Sequence, residues 1–123
     1  MHRESLNSAE VRFVDREKVL DDLHCAAREA RSRRPEILRV FLFGSLVHGN
    51  WTADSDADLI VVVRKEFSDI FDRSRYQIHT KSISTDTLVY SETEFDELRR
   101  NPSSFLAQNL SVALELGLSA DYR

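Results

Sequence analysis

Two aspartates separated by one residue stand directly before an apolar stretch of the chain. Asp56 and Asp58, within DSDAD, lead straight into Leu59–Val63, which reads LIVVV. Alternate side chains of an extended chain share a face, so these carboxylates would stand side by side, with Cα atoms roughly 6 to 7 Å apart. A divalent cation would relieve their repulsion, and hard oxygen ligands suit Mg²⁺ or Mn²⁺. The spacing therefore predicts a metal site, with an acidic surface turn as the alternative.

A third aspartate lies in a segment whose other residues favour a β-strand. Asp86 is flanked by Thr85 and Thr87 and followed by LVY, although aspartate is depleted in strands. If this strand pairs beside Leu59–Val63, the Asp86 carboxylate can point at the other two and complete a three-carboxylate site. Such a site could hold two metal ions about 4 Å apart, which stabilise the attacking and leaving oxygens of a displacement at phosphorus. The alternative is an edge-strand aspartate that faces water.

Two of the three glycines fall just after another apolar run. Gly44 and Gly49 belong to FGSLVHG, at the end of Ile37–Phe43. A glycine at a strand end lets the backbone turn sharply and brings N–H groups close to a ligand, which suits phosphate oxygens. Ser45 adds a hydroxyl, and a short helix beginning at Leu46 would direct its positive end at the same place. An ordinary Gly-Ser turn is the alternative.

Alternating helix and strand signals surround these residues. Apolar residues recur at helical spacing over residues 15–33, which predicts an amphipathic helix that ends near Pro35. The runs Ile37–Phe43 and Leu59–Val63, and the weaker Ser84–Tyr90, predict three strands. We therefore expect an α/β domain with a small sheet and helices packed on it.

Further helices are predicted beside the third strand. Apolar residues between 67 and 78 suggest a helix before it. Ser91 and Glu94 have the spacing of a capping box and indicate that another helix begins after it and stops before Pro102.

A last helix is predicted at the end of the chain. Ser103 or Ser104 can cap it, apolar residues from 105 to 116 would form its buried side, and Gly117 is placed as its C-terminal stop. The expected layout is a single domain over 1–123, with an N-terminal helix in 1–36, a catalytic sheet in 37–90 and C-terminal helices in 91–123.

Composition excludes several classes of protein. The 123 residues leave room for one small core. No apolar run approaches the roughly 20 residues that span a bilayer, and the first residues lack the apolar region of a secretory signal, so we expect a cytoplasmic protein. A net charge of −4 disfavours a domain that grips nucleic-acid phosphates.

The first predicted helix carries three features without an assigned chemistry. Cys25 is the only cysteine, which excludes an internal disulfide framework, and it is expected to be a small buried side chain. His24 is expected at the surface or at its boundary. The arginines between residues 28 and 34 are expected to form a solvated helix end, with a phosphate-binding patch as the alternative.

The joint motif FGSLVHGNWTADSDADL resembles the signature of the nucleotidyltransferase superfamily related to DNA polymerase beta. It contains Gly-Ser, a second glycine and then Ser-Asp-x-Asp-Leu at matching spacing. The later stretch TDTLVYSETEFDELRRNPSSFL is similar to the end of the minimal nucleotidyltransferases, or MNT proteins, in which an aspartate on a strand precedes a helix and a Pro-Ser-Phe-like turn. The resemblance covers most of the chain from Ile37 onward and implies a palm-like fold with a small mixed sheet.

This resemblance implies a metal-dependent transfer of a nucleoside monophosphate, expected to be AMP from ATP, to an acceptor hydroxyl, with pyrophosphate leaving. By the same resemblance, Gly44 and Ser45 would hold the β and γ phosphates, and Gly49 and Ser55 would also contact the nucleotide. Of three catalytic aspartates, Asp56 and Asp58 would bind both of two Mg²⁺ ions, with Mn²⁺ as the alternative. The third, Asp86, would bind the catalytic ion and help to deprotonate the acceptor.

The small size of the chain implies a partner, because little of it remains to enclose the base or recognise an acceptor. MNT proteins are commonly paired with a helical HEPN protein as the antitoxin of a toxin–antitoxin system, and some transfer AMP to a tyrosine of the toxin. The resemblance therefore implies a HEPN-family partner and a homo- or hetero-oligomer. The alternative is a noncatalytic binding module that neutralises its partner sterically, favoured by His48, where many relatives have an arginine. A polymerase or RNA-tailing role ranks third.

Overall fold

Helices pack on both faces of one four-stranded sheet in the computed structural model of the chain. The structure describes residues 2–44, 47 and 56–118, and their side chains except those of 2–15 and 70. The elements are, in chain order, α1 (His2–Arg33), β1 (Ile37–Phe43), β2 (Ala57–Val63), α2 (Ile70–Arg73), a 3₁₀ turn (Ser74–Tyr76), β3 (Thr85–Ser91), α3 (Glu92–Arg100), α4 (Phe105–Asn109), a second 3₁₀ turn (Leu110–Val112) and β4 (Leu114–Leu116).

The sheet is mixed, with strand order β3-β2-β1-β4. Strand β1 pairs antiparallel with both β2 and β4, whereas β2 and β3 are parallel. A parallel pair requires a crossover connection, and the segment that contains α2 supplies it. The predicted fold class, a small mixed sheet with helices packed on it, is confirmed. Strand β1 has its predicted bounds, β2 begins two residues earlier at Ala57, and β3 is shifted by one residue.

The two faces of the sheet bury different kinds of side chain. On one face, α1 contributes three residues to an aliphatic core, each at most 1% exposed: Val19, Leu23 and Ala27. On the other face, α3 and α4 pack on aromatic side chains of β1, and this second cluster includes Phe95, Leu106, Phe41 and Phe43. Full burial of one such Val, Leu or Phe side chain contributes about 1.5 to 3 kcal/mol, so the sheet is held from both sides.

The predicted last helix is wrong beyond residue 109. Helix α4 ends at Asn109, and Leu114–Leu116 form β4, in which Leu114 and Leu116 pair with Leu42 and Val40 of β1. Without β4, the outer edge of β1 would present unpaired N–H and C=O groups. The helical spacing of the apolar residues gives no sign of this. Backbone pairing and burial on the sheet together outweigh helix propensity here.

Gly117 therefore ends a strand and does not cap a helix. Its φ is +76°, and a Cβ added there would lie 3.0 Å from the Cβ of Ala27. The glycine lets the chain leave β4 while lying directly against α1.

The helix predicted between residues 67 and 78 is also much shorter than expected. Only α2 and the following 3₁₀ turn are helical, and they end at Tyr76. Phe67 lies before them, with its ring edge-on to that of Tyr76 at a centroid distance of 5.8 Å. The apolar side chains of this segment do not form one face of a helix. They belong to the crossover between β2 and β3, in which Tyr76 and Ile78 are buried against the aliphatic core.

The start of α3 confirms the capping box that the sequence predicts. The Ser91 hydroxyl accepts the Glu94 N–H at 3.1 Å, and the Ser91 N–H donates to the Glu94 carboxylate at 2.9 Å. The helix ends before Pro102, as predicted, and Ser104 rather than Ser103 caps α4.

Two predictions about α1 are wrong. His24 is only 4% exposed, and its Nδ1 accepts the Gly117 N–H at 3.3 Å, because β4 lies against this part of the helix. Cys25, one position further round the helix, is exposed. Arg31, at the end of the helix, donates to the Gly117 carbonyl. Although α1 is long, no helix in the described part of the chain is both long and apolar enough to cross a membrane.

Candidate functional site

Asp58 and Asp86 stand side by side at one end of the sheet. Asp58 lies in β2 and pairs in register with Asp86 of β3 on one side and with Phe43, the last residue of β1, on the other. Adjacent strands lie about 4.8 Å apart and register partners share a face. The face is the one covered by α3 and α4, since side chains alternate along β2 and Ile60 and Val62 belong to that cluster. Both carboxylates are exposed to solvent, and the predicted pairing of the third strand beside the second is confirmed.

Gly44 brings the backbone after β1 directly against one of these carboxylates. Its φ is +90°, and a Cβ added there would lie 2.7 Å from Oδ2 of Asp58. The carbonyl of Gly44 accepts the N–H of Val47 at 3.1 Å, which closes a turn. A residue with a side chain would be strained by the backbone angle, so the positive φ favours glycine here, and an added Cβ would also shift the Asp58 carboxylate.

The carboxylates at this end of the sheet repel one another. Partial burial raises the pKa of Asp58, and the charges of Asp86 and Asp56 raise it further. Asp56 is exposed and stands just before β2. The negative potential at Asp58 is therefore a property of all three residues, and a cation bound there would relieve it.

The two carboxylates fit a divalent cation whose remaining ligands are oxygens of other groups. In the ranges 2–44 and 56–118 no three His, Cys, Asp or Glu side chains come together closely enough to hold a metal ion. The paired Asp58 and Asp86 supply two hard oxygen donors, and Mg²⁺ is commonly held by one or two carboxylates plus substrate phosphates and water. A role of Asp56 as a third ligand, and the presence of two ions, remain predictions.

The rest of the predicted phosphate-binding segment lies outside the described residues. This applies to Ser45, Gly49 and Ser55, which were predicted to contact the nucleotide, and to His48. Their predicted roles stay predictions.

An aromatic side chain that the sequence did not connect with the carboxylates lies against Phe43, the register partner of Asp58. Phe105, the first residue of α4, has its ring centroid 5.6 Å from that of Phe43, and it is 59% exposed. Alternation along β1 indicates that Phe43 shares a face with Asp58, but nothing in the helical spacing of α4 shows that its first residue reaches β1.

A family profile and a solved structure match the chain. The profile described as "Nucleotidyltransferase domain" matches residues 24–112, which include β1, β2 and β3 and every residue of the predicted site. No curated protein matches the chain closely enough to count as a relative.

One solved structure similar to the chain is a crystal structure of a protein from Sulfolobus solfataricus that is described as a "putative nucleotidyltransferase". It is 26% identical in sequence, with a TM-score of 0.55, and the match covers 69% of this chain and 78% of that one. The two proteins therefore share the arrangement of sheet and helices on which the carboxylate pair is built.

Proposed function

Since the chain belongs to the nucleotidyltransferase domain family, we propose that it is a metal-dependent nucleotidyltransferase that moves AMP from ATP to a hydroxyl of a protein partner. The observation that carries this proposal is the row formed by Phe43, Asp58 and Asp86 across three strands, with the Gly44 turn against the Asp58 carboxylate. Two carboxylates beside a tight glycine turn provide a place for a cation next to a place for phosphates.

The proposed reaction is a displacement at the α-phosphorus of ATP. The oxygen of the acceptor hydroxyl forms a bond to the α-phosphorus, and the bond from that phosphorus to the oxygen bridging to the β-phosphate breaks. Pyrophosphate leaves with the electron pair of the broken bond, and Asp86 accepts the hydroxyl proton. A bound divalent cation would supply charge stabilisation for the phosphate oxygens, with Asp58 and Asp86 as its ligands and Asp56 as the predicted third.

Gly44 and Asp86 lie on opposite sides of Asp58, and this order across the sheet suggests where each substrate binds. Gly44 lies beside Asp58 on the β1 side, so the phosphates of ATP belong there. Asp86 lies on β3, an edge strand of the described sheet, so a protein acceptor can approach it from the open side.

The proposed partner is a helical HEPN-family protein, with this chain as its antitoxin. The support is the resemblance of the segments around Asp58 and Asp86 to the MNT proteins. In this proposal the partner supplies the acceptor hydroxyl, and modification of that hydroxyl neutralises the partner.

The test is transfer of label from α-³²P-ATP. The purified chain is incubated with Mg²⁺ and lysate of its own source, beside Asp86→Asn and a matched control, Asp96→Asn, which changes a partly exposed aspartate that pairs with Arg99 on α3. We expect a labelled protein band with the wild type and with Asp96→Asn, and its loss with Asp86→Asn. A parallel reaction with γ-³²P-ATP should give no labelled band that depends on Asp86, since the γ-phosphate leaves in pyrophosphate.

Two outcomes would contradict the proposal. Label from γ-³²P-ATP that depends on Asp86 would indicate phosphoryl transfer. No label from any of the four α-labelled nucleoside triphosphates, together with a stable complex with a protein of the same lysate, would favour the noncatalytic binding module.

A further inference from the structure

We propose that Phe105 contacts the base of the nucleotide, so that α4 contributes to base recognition. This inference rests on the proposed function and goes beyond it by assigning a specificity-determining residue outside the segments that carry the phosphates and the carboxylates. It begins from the contact of Phe105 with Phe43, the residue that borders the carboxylate row.

Phe105 is the outermost ring of a continuous aromatic cluster. Phe95 of α3 stacks on Phe41 at a centroid distance of 5.7 Å with planes 8° apart. Phe41 contacts Phe43 edge-on at 6.3 Å, and Phe43 contacts Phe105 at 5.6 Å with planes 44° apart. The first three rings are at most 4% exposed, whereas Phe105 is 59% exposed. The cluster thus ends in one open ring at the carboxylate end of the sheet.

The start of α4, which carries this ring, is held by hydrogen bonds of the Ser104 hydroxyl. Ser104 caps α4 by accepting the Ala107 N–H at 3.0 Å, and its hydroxyl also donates to the Leu98 carbonyl at 2.6 Å. The next residue, Leu106, is 3% exposed and anchors α4 in the core. An exposed aromatic ring on an anchored helix loses little further freedom when a planar ligand stacks on it.

The order of residues across the sheet favours the nucleotide base over an aromatic group of the acceptor. Phe43 and the Gly44 turn lie on the β1 side of Asp58, whereas Asp86 lies on the β3 side. Phe105 packs on Phe43 and so stands on the side assigned to the phosphates. Within β3 itself the exposed large apolar residue is Leu88, which lies two positions after Asp86, is 50% exposed and is not aromatic.

The size of the expected effect follows from measurements on stacked bases. Replacing an aromatic residue that stacks on a base weakens binding by roughly 5- to 150-fold per base. Inorganic tripolyphosphate carries the phosphates without a base, so its affinity should not depend on the Phe105 ring.

The experiment measures dissociation constants by isothermal titration calorimetry, with no acceptor present. Mg²⁺-ATP and Mg²⁺-tripolyphosphate are titrated into the wild type and into Phe105→Ala, Phe105→Leu, Phe105→Tyr and Phe71→Ala. Phe105→Leu keeps an apolar contact with Phe43 without the planar ring. Phe71→Ala is the matched control, since Phe71 lies in α2 and is 78% exposed. Thermal unfolding of each variant confirms that it is folded.

We expect Phe105→Ala and Phe105→Leu to bind Mg²⁺-ATP at least fivefold more weakly, with unchanged affinity for Mg²⁺-tripolyphosphate. Phe105→Tyr and Phe71→Ala should bind both ligands like the wild type. Unchanged ATP affinity in Phe105→Ala would overturn the inference. If this variant also lost labelling of the acceptor, the ring would instead be assigned to acceptor binding. Equal loss of both ligands would indicate a structural role and would also overturn it. Failure of the wild type to bind either ligand would overturn the proposed function and this inference together.

Discussion

Within the described residues, Gly44 and Asp58 connect the turn after β1 with the carboxylates of the candidate site. The glycine has a positive φ, and the space that a side chain would need is occupied by the carboxylate of Asp58. Gly44 and the Asp58 carboxylate therefore lie directly against one another. In the proposed function, this arrangement couples the turn assigned to the phosphates to the carboxylate assigned to the cation.

Gly44→Ala should impair both stability and transfer. The backbone strain costs about 1 to 3 kcal/mol, and the new Cβ displaces the Asp58 carboxylate. The matched control is Gly117→Ala, because Gly117 has a φ of +76° but its added Cβ would meet Ala27 instead. Urea unfolding should show a loss of free energy of unfolding in both variants, whereas labelling from α-³²P-ATP should fall at least tenfold only in Gly44→Ala. Equal labelling by the two folded variants would refute the proposed coupling.

At the scale of single elements, the start of α3 joins the crossover segment to the sheet. Glu94 belongs to the capping box of α3, and its carboxylate accepts from both terminal nitrogens of the Arg73 guanidinium, at 2.8 and 2.7 Å. Arg73, the last residue of α2, also donates to the Val89 carbonyl of β3 at 2.7 Å. This bridge holds α2 against the strand that carries Asp86.

Glu94→Gln should remove a pH-dependent part of the stability. Hydrogen bonds from Arg73 lower the pKa of Glu94 to about 2, with a further contribution from the Ser91 N–H. Because the folded-state pKa is below the unfolded value of 4.5, the stabilisation is present above pH 4.5 and is lost as the pH falls towards 2. The side chain is 40% exposed, so we expect a difference of only about 1 kcal/mol at neutral pH.

The measurement is urea unfolding of the wild type and Glu94→Gln between pH 7 and pH 2. The difference in unfolding free energy should be constant above about pH 5 and should close as the pH falls towards 2. Glu97→Gln, on the exposed side of the same helix, serves as the control and should follow the wild type throughout. A difference that persists unchanged at pH 2 would show that the charge of Glu94 is not responsible.

At the scale of the whole molecule, a well-packed sheet ends in a cluster of like charges. Both faces of β2 are buried from Leu59 to Val63, whereas Asp58 and Asp86 are exposed beside one another. The pKa of Asp58 is raised, so its ionised form is destabilised in the fold, and this cost appears as the pH rises above the usual carboxyl range. The carboxylates at this end of the sheet repel one another, and a bound cation would remove that repulsion.

Asp58→Asn should therefore stabilise the metal-free protein while abolishing transfer. Like charges directly opposite one another on adjacent strands are destabilising by up to about 1 kcal/mol, so a small rise in Tm is expected at pH 7 in EDTA. Excess Mg²⁺ should raise the Tm of the wild type, because a ligand that binds only the folded state stabilises it, and should raise that of Asp58→Asn less. Asp96→Asn is the control for the loss of one negative charge. A lower Tm for Asp58→Asn than for the wild type in EDTA would contradict this account.

The sequence by itself determined the local elements and the side chains that alternate along them. Branched and aromatic runs predict β1 and β2, the Ser91–Glu94 spacing predicts the start of α3, and the spacing of Asp56 and Asp58 predicts two carboxylates at the mouth of a strand. The spacing of apolar residues, the capping of helices and the alternation of side chains along strands each involve only a few neighbouring residues. They can therefore be predicted directly from the sequence.

Only the tertiary structure decided which distant segments meet. It made Leu114–Leu116 a strand, because β1 offered an edge to pair with, and it buried His24 against the Gly117 N–H. It also placed Asp86 in register with Asp58 and the Phe105 ring on Phe43. These outcomes depend on hydrogen bonds and packing between residues far apart in sequence, and such contacts leave no periodic pattern in either segment alone.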